Sequence, residues 1–441
     1  MHYPENMAQL KETVSSARAR GVGLVPVSSR GPHIHGASQN KNAETVCFDK
    51  MNRITKIDRV SRFVRVEPGV SFAELLPRVR EAGLRLNMPF LPRGGKSVVA
   101  SALEREAVIM PKYQFDYTDP LLNAGVIYGS GEEMRTGSAA GPGPMEELKA
   151  DMVSPWGPGT IDYVRFLMGA QGTMGLVAWA TLKAEIAPGL SKLFFVESDE
   201  IATLTALARE LMFRRIPDDC IILNNVSLAA AFTDGGDAEA HAAAAAAPWT
   251  LICRVCGYER YPEERLGIYE GYLRDCCAEM SLELKEAPMG DGAFAEKIDA
   301  MLGDCDRREI YWKLRRGGVE EILFLAPPSK VAELVETGVS SLENHPAGDL
   351  GIIVQPQVQG RAFRVEFELF HDGAWGADTE KAQRRLLEAG AYFDRPYGTL
   401  SELVYPEGSQ EVELLRKLKS IFDPDGILNP GKLCFKEARD G

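Results

Sequence analysis

The sequence is short of the features that mark several protein classes. It has 8 cysteines in 441 residues, too few for a disulfide scaffold. Cys253 and Cys256 form one C-x-x-C, but no second pair stands at zinc or cluster spacing, so no metal site is predicted. Basic excess is absent: Lys plus Arg is 50 against 63 for Asp plus Glu, a formal charge of -13. That argues against a binder of nucleic-acid backbone. No apolar run reaches the roughly 18 residues of a membrane span. Residues 1–11 have neither the positive start nor the apolar core of a secretory signal. A cytoplasmic protein without a membrane span is the expectation. No motif repeats at a fixed period, which excludes solenoids and propellers.

What is present reads as a folded chain, 45% hydrophobic and 26% charged, long enough for two or three units. Over residues 9–19, Leu10, Val14 and Ala17 fall on one helical face, and Gly21 ends the pattern. Residues 22–27 read as a buried strand. Ser71 and Glu74 form a capping box ahead of Leu75, Leu76 and Val79, with Gly83 as the stop. Residues 126–128 read as a strand, and prolines 142, 144, 155 and 158 punctuate a long loop. Short strands interleaved with short helices predict an α+β fold. Pro188-Gly189 marks a boundary, beyond which residues 194–196, 352–354 and 364–369 read as strands and 204–213 as a helix. The alanine-rich stretch 229–248 has the composition of a helical insertion. Alternation puts Glu366 and Glu368 on one strand face, which reads either as a solvated face or as a pocket wall that binds a polar substrate group. Trp156, Trp375 and Phe393 are candidates for the wall of an aromatic pocket or for core.

Two loops carry candidate chemistry. The first holds Ser28, Ser29, Arg30, Gly31, His33, His35 and Gly36, directly after a strand. Small residues let backbone approach a ligand, and free N–H groups can hold phosphate oxygens. Arg30 can add a charge-assisted hydrogen bond. The loop is neither G-x-G-x-x-G nor a Walker sequence, so a tight turn and a phosphate cradle both stay open. His33 and His35 can pack in the loop, pair on a metal, or attach a cofactor covalently. The second loop, Gly94, Gly95 and Ser97, precedes a helix-like run and can form another phosphate-facing turn. Two such turns suit a dinucleotide better than a single phosphate.

A resemblance follows from the order of several short pieces: Val25-Pro26-Val27-Ser28-Ser29, Val66-Glu67-Pro68-Gly69-Val70, Ala102-Leu103-Glu104-Arg105, Arg135-Thr136-Gly137, Gly157-Pro158 with Asp162, Gly172-Thr173-Met174-Gly175, and the closing run from Phe422 to Lys432. Together they resemble the vanillyl-alcohol oxidase and p-cresol methylhydroxylase (PCMH) superfamily of FAD-linked oxidases. The resemblance implies a two-part PCMH-type FAD-binding domain, residues 1–189 with 401–441 returning to it. Residues 190–400 would form an α+β substrate or cap domain containing an antiparallel sheet. FAD would lie against residues 28–36, against Gly94, Gly95 and Ser97, and close to Gly172 and Gly175. Ser28-Ser29-Arg30 stands where the family loop is richer in glycine.

The resemblance also bears on chemistry. Members acting on 2-hydroxy acids carry a late histidine cluster, whereas this chain has only His345 and His371 late on, in neither of the expected positions. Phenol-oxidising members place an arginine and tyrosines around the phenol, which implies that Arg395 stabilises a phenolate and Tyr397 hydrogen-bonds its oxygen. Asp119 would be the acid beside the flavin. The expected activity is hydride transfer from a phenolic or small aromatic alcohol or alkyl substrate to flavin N5. Electrons would then pass to oxygen or to a protein acceptor such as a cytochrome subunit, in an oligomer. The alternatives are a 2-hydroxy-acid dehydrogenase with Arg395 on the carboxylate, and a flavin-binding relay or structural subunit.

Overall fold

The helix Met7–Arg20 buries Leu10, Val14 and Ala17, and its ends are set by the Asn6 side chain accepting from the Gln9 amide and by Gly21 at φ +65°. In the helix Phe72–Glu81 the Ser71/Glu74 capping box is present, so two orphan amides of the first turn are satisfied locally. The computed structural model describes residues 1–35, 43–145, 147, 152–154, 156, 162–233, 247–373 and 377–435. Among these, no helix is long and apolar enough to cross a membrane.

The first part of the chain supplies β1 (Gly23–Val27), β2 (Ala43–Cys47), β3 (Ile54–Asp58), β4 (Phe63–Val66), β5 (Leu84–Leu86), β6 (Leu121–Ile127), β7 (Glu133–Arg135) and β8 (Leu176–Ile186). β1 and β2 pair in parallel. The rest form a sheet in the order β3-β4-β8-β6-β7, with β5 also on β8. The strand expected at 126–128 thus starts earlier, at Leu121. Near the end of the chain, Leu24 of β1 exchanges hydrogen bonds with Ile427 and Asn429, and Val412 and Phe435 join the core of this sheet.

A second sheet is built from β9 (Leu190–Ser198), β10 (Asp219–Asn224), β11 (Trp249–Gly257), β12 (Gly318–Ala326), β13 (Leu350–Gln357) and β14 (Ala362–His371). It runs β12-β14-β13-β10-β11-β9, each neighbour antiparallel. Both faces are covered, one by the helices Ile201–Phe213 and Val331–Ser341, the other by Phe90, Ile109, Trp312 and the helix Asn225–Phe232. Burial on both faces explains why β14 is not half-solvated as its alternation suggests: Phe363 to Phe370 are buried throughout. Most of the alanine-rich stretch, with Trp375, Gly157 and Pro158, lies outside the described residues.

The two sheets meet across a buried polar seam. Arg85 of β5 pairs with Asp219 of β10, which also faces Arg254 at 3.5 Å. Beside it, Asp218 accepts from Tyr113 at 2.7 Å and Tyr258 at 2.6 Å and faces Lys112 at 3.1 Å. Asp219 is fully buried, so its removal leaves the Arg85 guanidinium without its carboxylate, while Arg254 keeps Asp299 at 2.8 Å. D219A is expected to lose about 3–5 kcal/mol of stability, read as a lower urea midpoint. An unchanged midpoint would show that the seam does not bind the halves together.

Candidate functional site

Two adjoining cavities are lined by residues from both halves of the chain. The longer, about 1110 Å³ to its open mouth, runs from the end of β1 (Ser28, Ser29) past Pro68 and Ala100 to the turn before β8 (Gly172, Gly175) and Asn429. The shorter, about 840 Å³, reaches under β12, β13 and β14 to Lys313, Glu321, Gln355 and Glu366. Ser29, His33, His35, Glu104 and Arg395 line both.

The long cleft depends on close backbone approach. Gly172 sits at φ +73°, and a Cβ there would lie 2.4 Å from Pro26 Cγ; one on Gly175 would lie 2.5 Å from Val126. Both glycines are therefore required by space, and Gly172 also by backbone conformation. Ser97 caps the helix Val98–Leu103 and is fully buried: its amide donates to Ser29 Oγ at 2.9 Å and its hydroxyl to the Pro68 carbonyl at 2.6 Å. It braces the wall rather than lining it.

Several expected residues lie elsewhere. Gly94 is locked to Asp306, with its amide donating to that carbonyl at 2.8 Å, and neither Gly94 nor Gly95 lines a cavity. The turn faces the strand-like segment at Asp306 instead of the cleft. Arg30 is exposed, and Gly31 contributes only a carbonyl that accepts from Arg93 at 2.8 Å. Gly36 lies outside the described residues. Asp119, expected beside the flavin, lines neither cavity. It caps the turn before β6, accepting from the Phe115 amide, with Lys183 at 3.9 Å. Phe393 belongs to the core against Phe324, and Trp156 packs on Phe115 at the surface.

Arg395 and Tyr397 do reach the junction. Arg395 Nη2 lies 3.4 Å from the Tyr397 hydroxyl, and the Tyr397 ring stacks on His35 with centroids 4.3 Å apart and planes within 6°. Burial pushes the Tyr397 phenol up to about 12, so it is neutral at ordinary pH.

The chamber beyond is dense in charge that the sequence reading missed. Lys96 bonds Glu104 at 2.8 Å and Glu106 at 2.5 Å, and Arg395 stands 3.7 and 4.0 Å from the same carboxylates. Burial alone would lower the Lys96 pKa, but these two carboxylates raise it. On the other wall Lys313 bonds Glu321 and Glu368 and faces Glu366 at 3.6 Å. Burial would raise the Glu321 carboxyl, but Lys313 and His35 hold it well below its usual value. Glu368 goes the other way: burial, against the pull of Lys313, raises it to about 7. Arg93 differs from these cations. It is half-buried in the wall, and among the described residues no carboxylate pairs with it.

Of the residues singled out from the sequence, Ser29, His33, His35, Arg395 and Glu366 line this chamber. Lys313, Glu321, Lys96, Glu104 and Glu106 come from separate elements and carry no motif.

The long cleft fits a dinucleotide. It has the Gly172 cradle, and two buried polar atoms on its wall, Arg395 Nε and Asn429 Oδ1, have no hydrogen-bond partner. Buried orphans of this kind call for a ligand or a water.

Known proteins agree with this geometry. The FAD binding domain family matches residues 1–137, and the C-terminal domain of FAD linked oxidases matches residues 399–433. The chain is 23% identical to a D-2-hydroxyglutarate dehydrogenase of Stutzerimonas stutzeri, over 98% of this chain and 90% of that one. It is 20% identical to a D-lactate dehydrogenase of Anaerostipes hadrus, over 94% and 85%. The crystal structure of p-cresol methylhydroxylase with substrate bound superposes with a TM-score of 0.80 at 17% identity, covering 98% of this chain and 88% of that one; at that identity the likeness speaks for the fold.

Two outcomes are expected. G172V should weaken flavin binding by at least about tenfold, because the added side chain collides with Pro26; absorbance of the purified protein reads the retained flavin. Glu368 binds its proton more tightly folded than unfolded, so between its ordinary value of 4.5 and about 7 the native state holds more protons. Stability should therefore fall as pH rises through that window. E368Q should flatten this slope in denaturant melts taken across it.

Proposed function

The chain belongs to the FAD-linked oxidase superfamily of the PCMH type and is an FAD-dependent oxidoreductase, and from that premise we propose that it oxidises a small 2-hydroxy acid to the 2-oxo acid. The observation that carries this reading is Arg93. Every other cation of the chamber already faces carboxylates, whereas among the described residues Arg93 offers its guanidinium only to the Gly31 carbonyl. A half-buried arginine without a counter-charge suits a substrate carboxylate, which it can hold by charge-assisted hydrogen bonds. Two sequence relatives bear the names of enzymes acting on hydroxy acids, and the polar walls suit a hydroxyl and a carboxylate better than an apolar ring.

In this reading residues 1–189 and 401–441 hold the cofactor, and residues 190–400 shape the chamber. Ser28, Ser29, Gly172, Gly175 and Asn429 would hold FAD in the long cleft, with its reactive ring toward the junction at Arg395. FAD bound there supplies the hydride acceptor. The chain's own part is to fix the substrate. Arg93 grips the carboxylate, while Phe90, Leu323 and Ile353 enclose the carbon chain. Electrons then leave to oxygen or to a protein acceptor.

A phenolic substrate is the second reading, supported by the Arg395–Tyr397 pair at the junction. Against it, Arg395 already faces Glu104 and Glu106. Anaerobic mixing separates the two. Bleaching of the flavin by a 2-hydroxy acid and not by a 4-alkylphenol is expected, and the reverse would overturn the proposal. R93M should raise KM for the acid by the equivalent of about 1.5–3 kcal/mol, with a smaller effect on kcat. An unchanged KM would remove Arg93 from the binding site.

A further inference from the structure

We propose that His35 is the catalytic base of this site, taking the substrate's hydroxyl proton at Nδ1, and that Glu321 and Lys313 are the positioning residues that set its ring and tautomer. The proposal rests on the reading of the substrate as a 2-hydroxy acid.

Oxidising such an acid requires a proton acceptor, and most candidates in the chamber are already committed. Glu104 and Glu106 share Lys96, and Glu321 and Glu366 share Lys313. A carboxylate held by a buried ammonium is a weak base. Tyr311 and Tyr397 are raised by burial and stay protonated. The late histidines are elsewhere: His345 bonds the Asp349 carbonyl at 3.0 Å, and His371 ends β14, neither lining a cavity. His33 is in the wall, but among the described residues no carboxylate fixes its tautomer.

His35 meets each requirement. Its ring lines both cavities, so it stands where cofactor and substrate meet. Its Nε2 is bonded to Glu321 Oε2, and a carboxylate can only accept, so Nε2 carries the proton in the neutral ring. Nδ1, without a hydrogen-bond partner among the described residues, is left as the acceptor. Glu321 is held in turn by Lys313 through its other oxygen, and Tyr397 stacks flat on the imidazole, so the ring can neither flip nor tilt freely. This is the logic of a base oriented by a buried carboxylate, with a lysine as the third member.

The step balances. The substrate O–H bond breaks and its proton goes to Nδ1. The C2–H bond breaks with its electron pair, which a flavin bound in the long cleft would accept as hydride, and the C2–O bond becomes a carbonyl. The hydroxy acid is oxidised by two electrons and the flavin is reduced by two.

Two measurements on the holoenzyme test this. Anaerobic stopped-flow with a 2-hydroxy acid should show flavin reduction slowed roughly 10²–10⁴-fold in H35Q, with the flavin spectrum and melting temperature retained. In H35A, added imidazole should recover part of the rate. Nitrogen NMR of histidine-labelled protein, which has 6 histidines, should find the neutral His35 ring protonated at Nε2, assigned by its loss in H35Q. E321Q should mix the two tautomers and slow reduction. Wild-type rates in H35Q, or a ring protonated at Nδ1, would overturn the role of His35 alone. Failure of every 2-hydroxy acid to reduce wild-type flavin, while the tautomer is as stated, would overturn the substrate reading and the role with it.

Discussion

The site exists because a salt-bridged seam holds two sheets at a fixed distance. Arg85 belongs to the first sheet and Asp219 to the second, and both are withdrawn from water. Such pairs add little net stability, since desolvation offsets much of their attraction. They are intolerant of displacement, however, because either partner alone is a buried bare charge. The seam therefore sets geometry more than it adds stability. The cavities inherit that geometry: one wall, with Lys96, Glu104 and Glu106, comes from the first half of the chain, and the other, with Lys313, Glu321 and Glu366, from the second.

The same economy governs the far wall. Glu321 of β12 and Glu368 of β14 are direct cross-strand partners, an arrangement that like charges disfavour. Lys313 lies between them and turns repulsion into a three-sided clamp. With one ammonium for several carboxylates, one acid must yield, and Glu368, fully buried, is the one whose proton is held to about 7. Glu321 keeps its charge because it has a second partner in His35.

This division explains what could be read from the amino-acid order. The capping box at Ser71 and Glu74, the glycine-bearing turn at Gly172 and the serines after β1 are local devices. Their spacing is their chemistry: the capping box is present, and Gly172 and the two serines line the long cleft. The α+β architecture was likewise legible through period and turn residues, and the antiparallel cap sheet through the family resemblance. A carboxylate in a turn looks the same in sequence whether it serves a cofactor or a backbone amide, and Asp119 accepts from the Phe115 amide. A glycine pair signals close approach without saying to what, and the neighbour of Gly94 is Asp306. The charged chamber was invisible for a deeper reason. Alternation along β14 tells two faces apart, but only the fold decides whether a face meets water or a buried lysine from fifty residues away.

Arg93 has a final consequence. A clamp that holds the end of a molecule untouched by the chemistry cannot distinguish what enters from what is made. In the proposed 2-hydroxy-acid reading its grip on a carboxylate would be the same before and after the neighbouring carbon is oxidised, so the spent molecule would compete with the next arrival. Turnover in a site of that kind would be paced by departure, and such an enzyme would work best where something else removes the product promptly.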